Sequence, residues 1–261
     1  MSNAMHVAKT GLNAQNSRMQ VIANNLANVN TTGFKRDRAN FETLLYQVIK
    51  ASGAQTSGET KTNSAFSVGT GVRIINADKL FSQGNIVSSE NSLDVSIDGS
   101  GFFQVLMPDG RVGYTRNGAF GRNVEGLLTT ASGYVIQPEI GIPEGVTSIN
   151  ISADGIVSVQ NPGAVEAEEV GQFQLADFPN ARGLQPIGQS MLVETPASGA
   201  PVIANPFENG FGSLVQGALE SSNVNVVQEL VDMIETQRAY EVNSKAISGV
   251  DDMLRFISQN L

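Results

Sequence analysis

The sequence contains no cysteine and only one histidine, His6. Without cysteine there can be no disulfide framework and no thiolate metal site, and a single histidine has no second imidazole with which to share a metal ion. A Ser-His-Asp triad away from His6 is excluded for the same reason. These absences remove most nucleophilic and metal-dependent enzymes, although they leave enzymes that work with carboxylates open.

Charge is also scarce, because only 16% of the residues are charged, against about a quarter in ordinary domains. The net charge of −9 and the lack of Lys and Arg clusters argue against a nucleic-acid partner or an anionic membrane surface. No apolar run approaches the ~18 residues needed to span a bilayer. The N-terminus also lacks the order of a secretory signal. We therefore expect no membrane-embedded segment, and these rules alone indicate a cytoplasmic protein.

The first 36 residues carry an apolar seam with spacings that alternate between three and four, which predicts a helix that ends near Gly33. Arg18 is the only charged residue between Thr10 and Phe34. Such an uncharged surface suits either a core helix or a helix packed on several sides within a multi-chain assembly. The seam residues are Met5, Ala8, Leu12, Gln15, Met19, Ile22, Leu26 and Val29, and the polar ones around them include Asn13, Asn16, Asn24, Asn25 and Asn28.

A second seam with a period of seven predicts a helix from Asn225 to Leu261, with Asn225 as its N-cap. Glu229 and Asp232 lie in its first turns, where the helix dipole favours acidic residues. Because the two helices stand at opposite ends of the chain, we expect them to pair as a terminal hairpin. The seam comprises Val226, Met233, Tyr240, Ile247, Leu254 and Leu261, and Leu230, Ile234, Val250 and Ile257 widen it.

Between the helices the pattern changes twice. The apolar residues between Phe41 and Ile49 (Phe41, Leu44, Leu45, Val48 and Ile49) predict a short amphipathic helix, and the small, polar residues 51–65 predict a flexible linker. From about residue 69 to 216 the period is two, and turn signals recur about every eight to twelve residues, which predicts an all-β sandwich or barrel-like domain.

The predicted fold class is therefore mainly β with terminal α-helices. We expect three parts: a terminal helical assembly domain (1–36 and 222–261), a connecting segment with the linker (37–68), and a central all-β domain (69–216).

Only one pair of residues suggests catalysis. Asp94 and Asp98 lie four apart in a strand pattern, so both carboxylates could face one side, as in a glycosidase. A solvated strand face is the commoner reason for such a pair. Gly99-Ser100-Gly101 lacks the third glycine of a dinucleotide site and precedes no helix, so it indicates a bend where backbones approach closely. We predict no catalytic, cofactor or metal site, and no enzyme.

Three segments resemble the signatures of the bacterial flagellar rod and hook proteins. The N-terminal one runs from Ala23 to Arg36 (Ala-Asn-Asn-Leu-Ala-Asn-Val-Asn-Thr-Thr-Gly-Phe-Lys-Arg), and the central one runs from Leu93 to Val105. The C-terminal signature comprises Ser222–Asn225, Glu229–Ile234 and Gln237–Glu241. Together these segments occur in the family's order and cover the chain from end to end.

The resemblance implies a structural subunit that polymerises head to tail into a hollow helical tube, the drive shaft that carries torque to the hook. It also implies export through the flagellar type III apparatus without a cleaved signal, and a place in the basal body within the cell envelope. The implied partners are the chain itself, the proximal rod, the hook and the ring proteins. The length and single modest β domain favour the distal rod, with a proximal rod paralogue as the alternative.

Two readings from other classes stay open: a secreted β-rich binding protein with trimerising helices, and a carbohydrate hydrolase that uses Asp94 and Asp98. For the polymer, the predicted assembly residues lie on the two seams and in the terminal signatures. They are Leu12, Met19, Ile22, Asn24, Asn25, Leu26, Asn28, Val29, Gly33 and Phe34 at the N-terminal end, and Val226, Leu230, Met233, Gln237, Tyr240, Ile247 and Leu254 at the C-terminal end.

We predict that the terminal helices fold only on assembly. Burying about six seam side chains at roughly 2 kcal/mol each contributes less than the ordering of two long backbones costs. Limited proteolysis of dilute monomer should therefore trim both ends together and leave roughly residues 70 to 215. Protected termini in a proven monomer would contradict this expectation.

Overall fold

The computed structural model describes residues 3–52, 64–163 and 167–259. The chain divides into two compact units. The helical unit comprises Met1–Ala27, Asp37–Asp78 and Asn225–Leu261, and the β unit comprises Asn28–Arg36 and Lys79–Val224. Both ends of the chain thus belong to the same unit, as expected for helices that pair. Most of the predicted linker, and the seam residue Leu261, lie outside the described residues.

The helical unit contains two long helices and two pairs of strands. The helices are α1 (Asn3–Ala27) and α2 (Val226–Gln259). The strands are β1 (Asp37–Thr43), β2 (Tyr46–Lys50), β3 (Phe66–Gly69) and β4 (Val72–Lys79). Strand β1 pairs with β4, and β2 pairs antiparallel with β3. The Asn225 side chain caps α2 by accepting hydrogen bonds from the backbone N–H groups of Val227 (3.0 Å) and Gln228 (3.2 Å), which confirms the predicted N-cap.

The short amphipathic helix predicted between Phe41 and Ile49 is wrong, because strands β1 and β2 cover this stretch. Its apolar residues include aromatic and β-branched types, which favour strands, and over so few residues a three-and-four spacing cannot be told from a strand. Helix α1 is also shorter than predicted. It ends at Ala27, and the N–H of Thr31 donates to the carbonyl of Asn28 (3.1 Å). Val29 therefore lies in a turn after the helix.

The β unit consists of short strands. They are β5 (Ile86–Ser88), β6 (Val95–Asp98), β7 (Phe102–Leu106), β8 (Val112–Thr115), β9 (Phe120–Arg122), β10 (Leu128–Thr130), β11 (Val135–Gln137), β12 (Ser148–Ile151), β13 (Ile156–Gln160), β14 (Glu168–Gln172), β15 (Leu175–Asp177), β16 (Gln185–Gly188), β17 (Met191–Val193), β18 (Val202–Ala204), β19 (Ser213–Gln216) and β20 (Ala218–Glu220). A 3-10 turn, Ala181–Gly183, follows β15.

The largest sheet has nine strands, seven of them in the order β16-β17-β8-β7-β11-β10-β9, while β15 pairs with both β7 and β18. A three-stranded sheet has the order β12-β13-β14, and the pairs β19-β6 and β20-β5 stand separately. With helices at the two ends of the chain and a β-rich middle, the predicted fold class is confirmed.

Neighbouring residues of β7 supply two different cores, because side chains alternate across a strand. Phe103 packs against the rings of Phe120 and Phe173, with centroids 5.0 and 5.9 Å away. Phe102 belongs to a separate cluster in which its ring meets that of Phe178 at 6.1 Å. The central signature therefore places one phenylalanine in each of two cores.

The glycines that precede β7 form the bend expected from the sequence. Gly99 and Gly101 have φ angles of +118° and +126°, which side-chain-bearing residues rarely adopt. A Cβ atom at Gly99 would lie 2.8 Å from the Cα of Gly212. The close backbone approach explains the two glycines without any nucleotide.

We predict that Phe103→Ala lowers the free energy of unfolding of the β unit by about 3–5 kcal/mol, because this fully buried ring leaves a cavity. The matched control is Leu106→Ala on the same strand, where the side chain is 36% exposed and the loss should be about 1 kcal/mol or less. Urea denaturation followed by far-ultraviolet circular dichroism measures both. Equal losses would show that the core is not centred on Phe103.

Candidate assembly surface

The two helices pack against each other and run antiparallel. Near one end of the pair, the Asn25 side-chain amide donates to Glu229 Oε2 (3.3 Å), and Arg18 faces Asp232 with an ion-pair distance of 3.8 Å. Near the other end, a Cβ atom at Gly11 would lie 3.1 Å from Asn243 Nδ2. As the chain advances along α2 its contacts move backwards along α1, which confirms the hairpin expected from the two seams.

The face of α2 that meets α1 is polar. Glu229 and Thr236 are almost completely buried, with exposures of 0% and 1%, and Asn243 is half-buried. These residues are seven apart, so they form one stripe along the helix. Thr236 Oγ1 donates to the carbonyl of Asp232 (2.6 Å). In the sequence these three residues interrupt an apolar seam, whereas in the structure they form the inner face.

Four of the seven seam residues of α2 whose burial the structure describes are exposed, namely Val226, Leu230, Ile234 and Tyr240, with Ile234 at 51%. The other three, Met233, Ile247 and Val250, are half-buried. The outer apolar face, defined here by its large exposed side chains, runs most of the length of α2. It comprises Val226, Val227, Leu230, Val231, Ile234, Val242, Met253 and Phe256. Tyr240 is 43% exposed but lines a cavity with Leu12 and Met19 of α1.

The predicted assembly residues fall into three groups. Val226, Leu230, Gln237, Tyr240 and Asn24 are exposed, whereas Leu12, Met19, Leu26, Met233 and Ile247 are half-buried and Ile22 and Asn25 are buried. Gly33 is buried and Asn28, Val29 and Phe34 are half-buried, but these four belong to the β unit rather than to the helix pair. The Leu254 side chain lies outside the described residues.

Asn25 joins α1, β1 and α2 through one buried side chain. Its Nδ2 donates to the carbonyl of Asp37 (2.8 Å), while its Oδ1 accepts from the N–H of the same residue (2.8 Å). The same Nδ2 also reaches Glu229. Asn25 is 1% exposed, so a replacement must supply a donor and an acceptor together. Aspartate lacks the donor and leucine lacks both. The neighbouring Asn24 is exposed and bonds the Asp37 side chain at 3.3 Å.

In the β unit, the segment after α1 lies against the segment before α2. The N–H of Gly33 donates to the carbonyl of Glu220 (2.8 Å), and the N–H of Arg36 donates to Asn223 Oδ1 (2.7 Å). Gly33 has a φ of +68°, and a Cβ atom there would lie 2.6 Å from the backbone nitrogen of Asn117. No other residue type fits this position without a backbone shift.

A buried ionic cluster lies at the same crossing. Lys35 Nζ is 2.6 Å from Glu220 Oε1, and Arg116 Nη1 is 3.5 Å from Glu220 Oε2. Burial lowers the pKa of Lys35 and of Arg116, and the Glu220 carboxylate pulls each pKa back upward. Sequence reasoning missed Glu220 and Arg116. The one signal in the sequence for these two residues was that each is a charged residue within a strand pattern that is otherwise apolar.

The two aspartates considered for catalysis have local hydrogen-bond partners. Asp94 is buried and accepts from Ser89 Oγ and from Asn91 Nδ2 (2.9 Å). Asp98 is exposed and accepts from Gln83 Nε2 (3.1 Å). Both carboxylates therefore hold neighbouring loops.

In the described parts of the chain, His6 is exposed, and no group of three or more His, Cys, Asp or Glu side chains is arranged to hold a metal ion. None of the helices described is long and apolar enough to cross a membrane.

Three protein-family models match the chain. Residues 5–35 match "Flagella basal body rod protein", residues 96–159 match "Flagellar hook protein FlgE/F/G D1 domain", and residues 215–260 match "Flagellar basal body rod FlgEFG protein C-terminal". The first match covers α1 and the turn after it, the second covers the strands from β6 to β13, and the third covers α2 with the segment that leads into it. They therefore confirm the resemblance seen in the sequence.

Whole-chain relatives give the same result. The chain is 49% identical to the flagellar basal-body rod protein FlgG of Buchnera aphidicola subsp. Acyrthosiphon pisum over 99% of its own length and 100% of the relative's. Identity to FlgG of Caulobacter vibrioides is 44%, with 98% of each chain covered. Identity to FlgF of the same bacterium is 29%, over 100% of this chain and 98% of the relative. The chain belongs to the flagellar basal-body rod protein family, whose members are structural proteins.

Proposed function

We propose that this protein is the subunit of the distal rod, where copies assemble head to tail into a hollow helical shaft that carries torque to the hook. The observation that carries the proposal is the outer apolar face of α2. Its side chains are 40–71% exposed, whereas the most buried residues of the face toward α1, Glu229 and Thr236, are polar. The higher identity to FlgG than to FlgF favours the distal over the proximal position.

A second copy of the chain is the natural cover for the outer apolar face. Fully burying a side chain such as Val, Ile or Leu stabilises a protein by roughly 1.5–3 kcal/mol, so a face of this length can hold subunits together. A face that meets a different surface on the next copy gives a contact that does not close. Such contacts generate an open filament, which is what a shaft requires.

The polar helix interface also supports folding on assembly. The hydrogen bond from Asn25 to Glu229 contributes about 1.5–3 kcal/mol, and the long ion pair between Arg18 and Asp232 contributes about 1 kcal/mol or less, which is small beside the cost of ordering two long helices. Helices in proteins owe most of their stability to the packing of an apolar face against the rest of the structure. We infer that α1 and α2 reach their full stability only when neighbouring copies cover α2.

The proposal also includes the export route, the location and the neighbours of the subunit. The subunit leaves the cell through the flagellar type III export apparatus without a cleaved signal and resides in the basal body. Its neighbours are copies of itself, the proximal rod, the hook and the ring proteins. Residues 1–36 and 222–261 form the assembly domain in this proposal, residues 37–68 connect it, and residues 69–216 form the central domain.

Deletion of the gene in the source bacterium, followed by electron microscopy of extracted basal bodies, tests the position in the rod. We expect cells without hooks or motility that retain a short rod stub, because a distal subunit adds after the proximal rod is complete. Complete loss of the rod would place the subunit proximally. Intact rods and hooks would rule out an essential axial subunit.

A charge placed on the outer apolar face tests the assembly surface. We expect Ile234→Asp to abolish rod completion and motility when it replaces the wild-type chain, because it would bury an unpaired carboxylate between copies. The matched control is Ser244→Asp, which adds the same charge at an exposed polar position of the same helix and should retain motility. Subunit export, measured in parallel, separates assembly from secretion. Normal motility with Asp at position 234 would disprove this use of the face.

A further inference from the structure

The ionic cluster of Lys35, Arg116 and Glu220 joins two segments that are distant in the sequence. Residues 28–36 follow α1, and residues 217–224 precede α2. Lys35 comes from the first segment and Glu220 from the second, while Arg116 comes from the strand region between them. All three side chains are almost completely buried, with exposures of 3%, 6% and 0%. The contact between the two segments therefore depends on charges that water does not reach.

Backbone hydrogen bonds run alongside the cluster. The N–H of Gly84 donates to Glu220 Oε1 (2.8 Å), and the N–H of Ser221 donates to the carbonyl of Asn85 (2.8 Å). Asn223 adds a second connection, since its Nδ2 donates to the carbonyls of Leu80 (2.8 Å) and Ser82 (3.0 Å) while its Oδ1 binds the N–H of Arg36. The two segments are therefore held in one register.

We propose that the Lys35–Glu220–Arg116 cluster, with Asn223, is a lock that keeps the segment after α1 beside the segment before α2 in the free subunit. The inference rests on the proposed folding of α1 and α2 upon assembly. With the lock closed, the C-terminal end of α1 and the N-terminal end of α2 are already neighbours when a copy docks. The entropy cost of bringing together two distant parts of the chain is then incurred before assembly begins.

A buried ionic cluster suits a lock because its geometry is specific. Replacing such a cluster with apolar residues often preserves stability, so its presence is better explained by register than by stability. An apolar contact would tolerate a shift of one segment along the other. The short contact between Lys35 and Glu220 breaks when either segment moves by one residue.

The cluster contains two positive charges and one negative charge, and this imbalance provides a specific test. Two cations contact one carboxylate, so Glu220→Gln leaves Lys35 without its carboxylate partner and Arg116 with only the weaker attraction of Asp177, and it places an amide N–H against Arg116. Lys35→Met leaves the pair of Arg116 and Glu220 balanced. The carbonyl of Ser82, which Lys35 also binds, keeps its bond from Asn223. We expect Glu220→Gln to open the lock and Lys35→Met to weaken it much less.

Hydrogen exchange of the purified full-length subunit measures the lock directly. In Glu220→Gln the amides of Gly33 and Ser221 should exchange about a hundredfold faster or more. The amides of Leu128 and Phe173, which are hydrogen-bonded inside the β unit, should keep their protection. Lys35→Met should change the first two amides by about tenfold at most. The matched control, Glu125→Gln at an exposed loop position, should change none of them.

Unchanged protection of Gly33 and Ser221 in Glu220→Gln would overturn the proposal, as would equal effects of Glu220→Gln and Lys35→Met. If Glu220→Gln unfolds the whole β unit, the variant Asn223→Ala provides the test instead. Asn223→Ala should speed hydrogen exchange at the amides of Gly33 and Ser221 about tenfold and leave those of Leu128 and Phe173 unchanged. No change at Gly33 and Ser221 would again overturn the proposed lock.

The same experiment reports on α1 and α2 separately. Fast exchange of the helix amides in the free subunit and slow exchange in the polymer would support folding on assembly. Protected helices in the free subunit would contradict that part of the proposed function, while the amides of Gly33 and Ser221 would still report whether the lock exists.

Discussion

The arrangement of α2, with its polar face inward and its apolar face outward, is the constraint on which the proposed assembly depends. In an ordinary domain the apolar stripe of a helix faces the core and supplies most of its stability. Here Glu229, Thr236 and Asn243 occupy the inner stripe, and the side chains of the outer apolar face are 40–71% exposed. In the proposed polymer the same surface therefore contributes to the free energy of folding of the helix pair and to its free energy of assembly.

Buried polar groups give the chain its geometry where apolar packing does not. Asn25 fixes the end of α1 to β1 and α2, and Glu220 fixes the two segments that lead to the helices. Each such group is costly to bury unless every partner is in place, so each tolerates only one arrangement. The N-terminal signature contains four asparagines and Gly33, and both Asn25 and Gly33 stand where a hydrogen bond or a close backbone approach, rather than apolar volume, is required.

Periodicity in the sequence was sufficient to predict both helices, the β-rich middle and the N-cap at Asn225, because these features depend on residues close together in the chain. It could not show which face of α2 meets α1, since a seam identifies an apolar surface but not its partner. It also could not pair Lys35 with Glu220, which lie 185 residues apart. Between Phe41 and Ile49 the spacing fits two structures, and pairing with other strands selects the extended one.

The distribution of charge follows from the same constraint. Identical copies that pack closely bring identical charges together, so a surface used between copies is favoured by a low net charge. The helical unit has nine Lys and Arg residues against ten Asp and Glu residues, a net charge of −1, whereas the β unit has seven against 15, a net charge of −8. Nearly all of the chain's negative charge thus lies outside the unit that carries the outer apolar face. In the proposed polymer, the low net charge of the helical unit therefore limits the electrostatic repulsion between copies.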